Sequence, residues 1–369
     1  MRIVYFSSST LPSQAANSVH VAHMAEAFGA LGHEVRLIHV RAAGDSTEDV
    51  FSFYGLKGLF TLCSVVRPRL RYVGLVMYSL LGFARYVIGS KAALVYSRDY
   101  VGALFSAMAW YRTVFELHSM PQTWLTKLAF RLVTRCPRLV AVVAISAALR
   151  DDVVRRYPQL QGRVIVAHDA ANEHVDVVPR RLGAEVGIKV GYVGGLYQGK
   201  GVEVVVDVAR RMPEVEFHVV GGQGELLDEW RRKTVGVPNV LFHGFKPYGE
   251  IPSYISAFDI VLLPNQRIVH THSGSGDIGR WTSPLKMFEY MSAGKSIICS
   301  DLPVLREVMV DNHNCLLCCP DDPAQWVLAL ERLRADDKLR DRLGRQAKID
   351  FLETYTWRGR AERLLSELL

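Results

Sequence analysis

The chain has 369 residues, of which 49% are hydrophobic and 22% charged, and it carries a formal net charge of +7. These proportions are those of a globular protein and exclude a disordered or collagen-like chain, and the length predicts two domains or at most three. Because no apolar run reaches about 18 residues, we expect no helix that spans a bilayer. The six cysteines do not combine with histidines at zinc-ligand spacing, so we expect reduced thiols in a cytoplasmic protein.

The first half of the chain alternates apolar strands with helices. Residues 1–6 predict a strand that runs into a polar loop, residues 19–31 a helix that Gly32 ends, and residues 34–40 the next strand. Ser146 is expected to cap a helix that follows it. Four further short strands are predicted at 93–97, 114–117, 139–145 and 164–167. This alternation predicts a parallel sheet with helices on its faces.

One segment of the first half is strongly basic. It contains no acidic residue and six basic ones: Lys57, Arg67, Arg69, Arg71, Arg85 and Lys91. Aliphatic and aromatic residues lie between these charges, which is typical of an interfacial helix on an anionic membrane. The alternative is a core helix whose basic residues are solvated. We expect membrane contact, because acidic residues are missing over so long a stretch.

The polar stretch 174–186 predicts a linker, after which strands and helices alternate again. Residues 315–319, which include three of the cysteines, predict a buried strand. The other elements expected after the linker are strands at 189–193, 216–220, 240–243, 260–263 and 296–300 and helices at 202–211, 225–234, 250–258 and 285–293. Two such α/β units predict two lobes with a ligand site in the cleft between them.

A glycine-rich loop follows the strand at 189–193 and leads into a helix. Gly194 and Gly195 let backbone amides approach a diphosphate, and Lys200 adds a full positive charge beside the helix start. The loop is not a P-loop, because glycine and not serine or threonine follows the lysine. A tight turn with an exposed lysine is the alternative. The order of strand, glycines, lysine and helix favours phosphate binding.

A second helix start is predicted in the letters SPLK. Ser283 is expected to cap this helix, Pro284 to take its first position and Gly294 to end it. The free amides near Leu285 and Lys286 would then form a second anion site.

One turn further on, Glu289 is placed to accept two hydrogen bonds from a ribose diol. The alternative for Glu289 is an exposed surface glutamate. His118 follows an apolar strand at the end where parallel sheets bind ligands, although a histidine there is more often structural.

The sequence contains no Asp-x-Asp motif, the usual carboxylate site for a divalent ion that bridges a diphosphate. His20 and His23 lie at helical spacing but have no obvious third ligand. We therefore expect no metal cofactor, so that Lys200 and helix-terminal amides neutralise the leaving group.

Six segments of the second half have a specific order and spacing: GYVGGLYQGKG, VVGGQGEL, NVLFHGF, FDIVLLP, SPLKMFEYMSAGKSIICSDLP and LREVMVDNHNCLL. With these segments the chain resembles glycosyltransferase family 4, which has the GT-B fold. The first half resembles it more weakly, through NSVHVAHMAEAF, LGHEV, YSRDY, FELHSMP and AVVAISAAL. The resemblance implies that Lys200 binds the diphosphate, Glu289 the ribose, the Leu285 amide a phosphate, and that His118 lies near the donor sugar.

Two positions depart from the family pattern. Many relatives carry an arginine where this chain has Gly195, and an acidic residue where it has Trp281. The first departure weakens the expected phosphate clamp, which Arg280 or Lys286 would restore. The second removes a carboxylate that would address the donor sugar. Relatives with an SPLK-type helix often lack that carboxylate, so activity is still expected.

The resemblance therefore implies a GT-B protein of two Rossmann-like, doubly wound domains that face a central cleft. We expect an acceptor-side domain at 1–178, a nucleotide-sugar domain at 187–350, and a last helix at 351–369 that crosses back to the first. The expected catalytic residues are His118, Lys200 and Glu289, with Arg280 as a further phosphate ligand. The expected donor-binding residues are Gly194, Gly195, Lys200, Gly222, Ser283, Pro284, Leu285, Lys286 and Glu289.

The activity implied is sugar transfer with retention, from a nucleoside diphosphate sugar of UDP or GDP type to a glycan or lipid-linked glycan, in polysaccharide or glycolipid synthesis. We expect a cytoplasmic enzyme that rests peripherally on the inner membrane face and has no nucleic-acid partner. Two alternatives remain open. One is a non-catalytic sugar-nucleotide-binding subunit, and the other is a non-hydrolysing sugar-nucleotide epimerase, which needs a pair of acid/base carboxylates in its cleft.

Overall fold

The computed structural model describes residues 1–41, 49–182, 187–269 and 277–368. Its contacts divide the chain into two compact units, one of Met1–His168 together with the segment that begins at Trp357, the other of Asp169–Thr356. The domain limits expected from the polar stretch 174–186 remain a prediction, and residues 183–186 lie outside the described ranges.

The first unit is built on seven parallel strands: β1 Arg2–Leu11, β2 Glu34–Arg41, β3 Thr61–Val65, β4 Leu94–Ser97, β5 Thr113–Leu117, β6 Leu139–Ala144 and β7 Val164–Val166. They lie in the order β3-β2-β1-β4-β5-β6-β7. The helices between them are α1 Ala16–Ala30, α2 Val50–Tyr54, α3 Arg71–Gly82, α4 Tyr100–Met108, α5 Trp124–Val133 and α6 Ala147–Arg156. Strands β4 to β6 are almost wholly buried, as strands covered on both faces are.

The second unit has six parallel strands: β8 Lys189–Val193, β9 Glu216–Val220, β10 Val240–Gly244, β11 Ile260–Leu263, β12 Ser296–Ser300 and β13 Leu316–Cys318. Their order is β10-β9-β8-β11-β12-β13. Its helices are α7 Val202–Arg211, α8 Gly224–Lys233, α9 Ile251–Ser256, α10 Leu285–Ser292, α11 Pro323–Ala335 and α12 Asp337–Thr354. Side chains of β8 alternate between two cores, with Val190 and Tyr192 in one and Val193 in the other.

Both sheets have the doubly wound topology, and this confirms the predicted pair of Rossmann-like domains. Strand order reverses between β1 and β4 in the first sheet and between β8 and β11 in the second. Ligands of such sheets bind beyond the carboxyl ends of the strands at this reversal. In the second unit the loops after β8 and β11 begin at that edge.

The last helix, α13 Trp357–Leu368, packs against α1 within the first unit. Its fully buried residues include an arginine, Arg360. A buried guanidinium must be paired inside the protein, so this helix contributes a charge to the interior of the first unit.

The basic segment 57–91 differs from the single interfacial helix that its composition predicts. Residues Thr61–Val65 form β3, which pairs with β2 at the edge of the sheet, and only the later part is helical. This edge strand was not predicted, because the alternation of buried and exposed residues extends over only five positions. None of the helices in the described ranges combines the length and hydropathy needed to cross a membrane.

Candidate functional site

The loop after β8 needs glycine for reasons of space. At Gly201, whose φ is 82°, a Cβ atom would lie 1.8 Å from the Pro264 carbonyl oxygen that follows β11. At Gly221 a Cβ would lie 2.0 Å from the carbonyl oxygen of Gly194. The Gly194 amide donates to the Val220 carbonyl, 2.9 Å away. The glycines therefore bring the ends of β8, β9 and β11 together at the point of strand reversal.

Two lysines at this edge, Lys200 and Lys286, form no ion pair with any described residue. The Lys286 side chain is only 8% exposed, and its Nζ has no hydrogen-bond partner among the described residues. Burial, and then the charge of Lys200, hold the pKa of Lys286 well below its usual range. Burial also lowers the pKa of Lys200, to about 8. The exposed-lysine alternative for Lys200 does not fit this partly buried side chain.

Position 195, where many relatives carry arginine and this chain has glycine, has no space for a side chain. A Cβ at position 195 would lie 2.3 Å from Cε1 of Tyr197, so the Tyr197 ring takes the space that a side chain would need. Lys286 lies nearby, with its Cδ 3.7 Å from a Cβ built on Gly194. Of the two residues expected to compensate, Lys286 thus lies beside the glycine loop, whereas Arg280 is exposed. Their roles in phosphate binding remain predictions.

Helix α10 begins at Leu285, one residue after the Pro284 start that its cap motif suggests. Pro284 occupies the position before the first helical residue, and no side chain caps the helix. The Ser283 hydroxyl instead accepts a hydrogen bond from the Asp169 amide, at 2.9 Å. The expected Ser283 cap is therefore wrong, because the hydroxyl is used to hold a neighbouring loop. The amides of Leu285 and Lys286 are still in the first turn, where helical partners are missing.

Glu289 is buried, at 6% exposure, so the alternative of an exposed surface glutamate is wrong. Burial raises the pKa of Glu289 to about 7, although a hydrogen bond with Tyr248 and the charge of Lys286 oppose the shift. A carboxyl group with such a pKa changes charge near neutral pH. A ligand whose hydroxyl groups donate to the ionised form would favour that form.

The same sheet edge contains polar groups that sequence reasoning missed. Within the described ranges neither amide atom of Asn265, just after β11, has a hydrogen-bond partner, and the Ser300 hydroxyl at the end of β12 has none. Both residues are fully buried. The only sign of them in the sequence is their position at the ends of strands β11 and β12, where parallel sheets bind ligands.

Gly222, which was expected to bind the donor, has a φ of 75° and packs against Leu196.

The first unit contains a second polar cluster, around His118. Its Nε2 atom lies 2.6 Å from Oε1 of Glu116, which is fully buried at the end of β5. His20 of α1 brings its Nε2 within 2.5 Å of the same oxygen. Burial raises the pKa of Glu116, but His20, Arg360 and His118 outweigh it and hold that pKa well below its usual range. Burial and the charge of Arg98 lower the pKa of His118 to about 4.

A group of possible metal ligands forms around His20, but within the described ranges it does not include His23, the residue with which the sequence pairs His20. The ligand atoms of His20, Glu116 and His118 lie within 4.8 Å of one another. However, Arg360 Nη2 lies 3.3 Å from the same Glu116 oxygen, so a full positive charge already faces the carboxylate. The hydrogen bonds and this ion pair therefore explain why these side chains lie together. The residues of the cluster are up to about 340 positions apart in the sequence.

Similarity to known proteins agrees with this architecture. Residues 187–336 match the sequence profile described as glycosyl transferases group 1, and residues 18–172 match that of glycosyltransferase family 4. The D-inositol 3-phosphate glycosyltransferase of Corynebacterium diphtheriae is 27% identical over 238 residues, which are 58% of this chain and 52% of that protein. The chain thus spans about half the length of this curated relative.

Solved structures show the fold independently of sequence. The sucrose-phosphate synthase of Thermosynechococcus elongatus superposes with a TM-score of 0.76 at 16% identity and covers 100% of this chain and 98% of its own. Anabaena HepE in complex with UDP-glucose gives 0.73 at 16% identity, with 100% of both chains covered. The two parallel-sheet units are thus those of the GT-B fold. The chain belongs to the family 4, or group 1, glycosyltransferases.

Proposed function

We propose that this protein is a retaining glycosyltransferase that uses a nucleoside diphosphate sugar of UDP or GDP type. Its acceptor is a glycan or a lipid-linked glycan, in the synthesis of a cell-surface polysaccharide or glycolipid. The names of the relatives support sugar transfer, and the UDP-glucose bound by HepE supports the donor class. The observation that carries the proposal is that Lys200 and Lys286, at the edge of the second sheet, form no ion pair with any described residue.

A bound diphosphate would provide the negative charge that both lysines need. An ammonium group as buried as that of Lys286 is costly unless an anion pairs with it, and Lys200 repels it further. The glycine loop and the first-turn amides of α10 add hydrogen-bond donors suited to phosphate oxygens. The Glu289 carboxylate then lies one turn along the same helix, where it accepts from the ribose hydroxyls.

The donor site then acts by stabilising the leaving group. The bond between the sugar C1 and the β-phosphate oxygen breaks, and a bond from the acceptor oxygen to C1 forms on the same face. The acceptor hydroxyl proton passes to the departing phosphate oxygen. Lys200, Lys286 and the α10 amides stabilise the charge that develops on the diphosphate, the task that a divalent ion performs in other transferases. We propose that this chain needs no metal.

The test is an assay of donor turnover with a panel of UDP and GDP sugars, in the presence of excess EDTA. The proposal expects release of free nucleoside diphosphate that depends on an acceptor or on water and that persists in EDTA. Loss of turnover in EDTA with recovery in magnesium would refute the metal-free mechanism. A non-catalytic subunit, the alternative suggested by Gly195 and Trp281, would bind the donor without releasing nucleoside diphosphate.

We also propose that the first unit rests on an anionic membrane, which would bring the enzyme to a lipid-linked acceptor. Helix α3 and the segment before it present exposed apolar side chains: Val66, Leu70, Val73, Met77, Leu80 and Leu81. On α5, Trp124, Leu128 and Leu132 recur every four residues, so they share one face, and all three are exposed. The rings of Tyr72 and Trp124 touch, with centroids 5.6 Å apart, so the two helices form one continuous surface.

The charges around this surface favour an anionic bilayer over an apolar protein partner. Exposed basic residues flank the apolar ones on both helices: Arg67, Arg69, Arg85, Lys127, Arg131 and Arg135. Between Asp49 and Asp151 the only acidic residues are Asp99 and Glu116, and both are buried. A surface with apolar side chains at its centre, cations beside them and no exposed acid complements the interface of an anionic membrane.

A further inference from the structure

The guanidinium group of Arg360, on the last helix, is held inside the first unit by several acceptors. It is 1% exposed. Its Nε donates to the His168 carbonyl at 2.8 Å, and Nη2 donates to the Ala167 carbonyl at 3.1 Å and reaches Glu116 Oε1 at 3.3 Å. These contacts leave the guanidinium little freedom. A charge fixed in this way acts on the one carboxylate beside it.

The Glu116 carboxylate is surrounded by polar groups from four parts of the chain. Besides Arg360, the hydroxyl of Tyr96 donates to its Oε2, and Nε2 atoms of His20 and His118 face Oε1. An ionised carboxylate can only accept hydrogen bonds. The His118 nitrogen that is hydrogen-bonded to Oε1 must therefore carry the hydrogen.

This requirement fixes the chemistry of His118. A neutral imidazole has one protonated and one unprotonated nitrogen, so Nε2–H leaves Nδ1 as an acceptor. The His118 side chain is 23% exposed, and the bond to Glu116 is its single hydrogen bond with described residues. The rings of His20 and His118 meet edge to face at 4.7 Å, and His20 meets Trp357 at 5.0 Å. The His118 ring is thus packed on one side by His20 while its Nε2 is bonded to Glu116.

We propose that Glu116 and Arg360 are positioning residues that hold His118 as the Nε2–H tautomer, so that its Nδ1 accepts a hydrogen bond from a sugar hydroxyl. This inference rests on the proposed function, because it takes a sugar as the ligand of His118. Arg360 keeps Glu116 ionised and aimed, and Glu116 in turn orients the imidazole, as carboxylates do for the histidines of catalytic triads. The last helix thus serves the site through a buried charge.

The tautomer can be measured without any activity. We would record imidazole nitrogen resonances of the full chain labelled with ¹⁵N-histidine at pH 7, and assign His118 by its loss in His118→Asn. The inference expects a neutral ring with hydrogen on Nε2. A His118 ring protonated on Nδ1, or a doubly protonated ring, overturns it. In Glu116→Gln and Arg360→Met we expect a mixture of tautomers.

Kinetics give the second test. Glu116→Gln and Arg360→Met should lower kcat at least about 10-fold, by analogy with the loss of other groups that orient a functional histidine. Binding of free UDP or GDP should change less than about 2-fold, because the nucleotide-binding residues are in the second unit. The matched control is Arg358→Gln on the same helix, which loses only an exposed pair with Glu362 and should keep parental kcat.

The outcomes separate this inference from the proposed function. Parental kcat in Glu116→Gln would overturn the positioning role. If the parent releases no nucleoside diphosphate from any donor, the proposed function fails, but the His118 tautomer is still tested by the resonances. If a variant does not fold, as its circular dichroism would show, the resonances of the parent alone decide.

Discussion

The ammonium group of Lys286 lies 4.2 Å from the centre of the Tyr192 ring. The ring itself is fixed, because the Tyr192 hydroxyl donates to the Gly195 carbonyl at 2.7 Å. A cation over an aromatic face gains roughly 0.5–2 kcal/mol, less than the several kcal/mol that burying an ammonium group costs. The ring therefore orients Lys286 toward the glycine loop but does not offset the cost of burying its ammonium group. The free protein thus leaves the Lys286 amine without a hydrogen bond to any described residue, and we propose an anionic ligand as its partner.

Lys286→Met should consequently have opposite effects on stability and on binding. Methionine removes an unpaired buried charge, so the melting temperature of the ligand-free protein should rise. Affinity for UDP or GDP should fall by about 10- to 150-fold, which corresponds to a lost charged hydrogen bond of roughly 1.5–3 kcal/mol. Thermal unfolding and titration calorimetry measure both effects.

The control is Lys295→Met, because Lys295 donates to the Ser256 carbonyl at 2.8 Å and already has a partner. That variant should lose stability and keep its nucleotide affinity. A Lys286→Met protein that binds the nucleotide as tightly as the parent would contradict a diphosphate role for this lysine.

Lys200→Ala should lower sugar transfer by about 100-fold or more, as the loss of one preorganised group that stabilises developing charge does elsewhere. The Lys200 ammonium lies over the Tyr197 ring, 5.3 Å from its centre, and pairs with no described carboxylate. The loss should appear mainly in kcat, because charge on the diphosphate grows toward the transition state. Steady-state kinetics with a saturating donor decide this, and parental kcat would remove Lys200 from the mechanism.

Affinity for the intact donor should pass through a maximum between about pH 7 and pH 8. The free-protein pKa of Lys200 is about 8, and a bound diphosphate raises it, so binding takes up a proton and weakens above that pH. The free-protein pKa of Glu289 is about 7, and ribose donors lower it, so binding releases a proton and weakens below that pH.

Mutation can separate the decrease in affinity on the acid side of this maximum from the decrease on the alkaline side. Glu289→Gln should flatten the decrease in affinity at acid pH, and Lys200→Ala should flatten the decrease at alkaline pH. Calorimetric titrations across the range, with a nucleotide sugar that has no terminal phosphate, measure both. A parental profile that is flat from pH 6 to 9 would rule out the coupling.

The fold was largely predictable because local patterns specify it. Continuous apolar runs such as 139–144, glycines at strand ends and the Ser146 cap, which accepts from the Leu149 amide, each act over a few residues. Strand β3 and helices α4 and α5 were not predicted, since a short edge strand and apolar helices give no clear period. Ser283 shows the limit of such signals: it has the residue type of a cap, but a loop amide uses its hydroxyl.

Part of the candidate site could be named from the sequence for the same reason. The glycine loop, Lys200 and the α10 segment are contiguous motifs, so their residues could be named. Glu116 and Arg360 are 244 residues apart, and only the tertiary fold brings the last helix to β5. Asn265 and Ser300 could not be singled out, because an asparagine or serine after a strand is common and only burial without a partner makes it notable.

Glu289→Gln should weaken binding of UDP or GDP by a few-fold to about 100-fold, the range for hydrogen bonds to a charged group. A donor with 2′-deoxyribose should then lose most of its disadvantage relative to the ribose donor. Glu250→Gln is the matched control, since that exposed carboxylate pairs only with Arg180 among described residues. Equal discrimination between the two sugars in parent and Glu289→Gln would refute the diol contact.

The membrane surface on α3 and α5 gives the last prediction. Each basic residue near an anionic surface contributes about 1 kcal/mol, and salt screens it. The protein should therefore sediment with vesicles that contain anionic lipid at low salt, and much less with neutral vesicles. Replacing Arg67, Arg69, Lys127 and Arg131 by glutamate should release it but leave donor hydrolysis intact, because these residues lie outside both clusters of site residues.

A control with the same net charge separates a local surface from overall charge. Glutamate at Arg211, Arg232, Lys338 and Arg345, which are exposed in the second unit, changes the charge by the same amount and should leave vesicle binding close to parental. Replacing Trp124, Leu128 and Leu132 by serine should weaken binding even in low salt, because buried apolar area also holds an interfacial helix. If the parent ignores anionic vesicles at low salt, the acceptor is a soluble molecule and the basic face is merely hydrated.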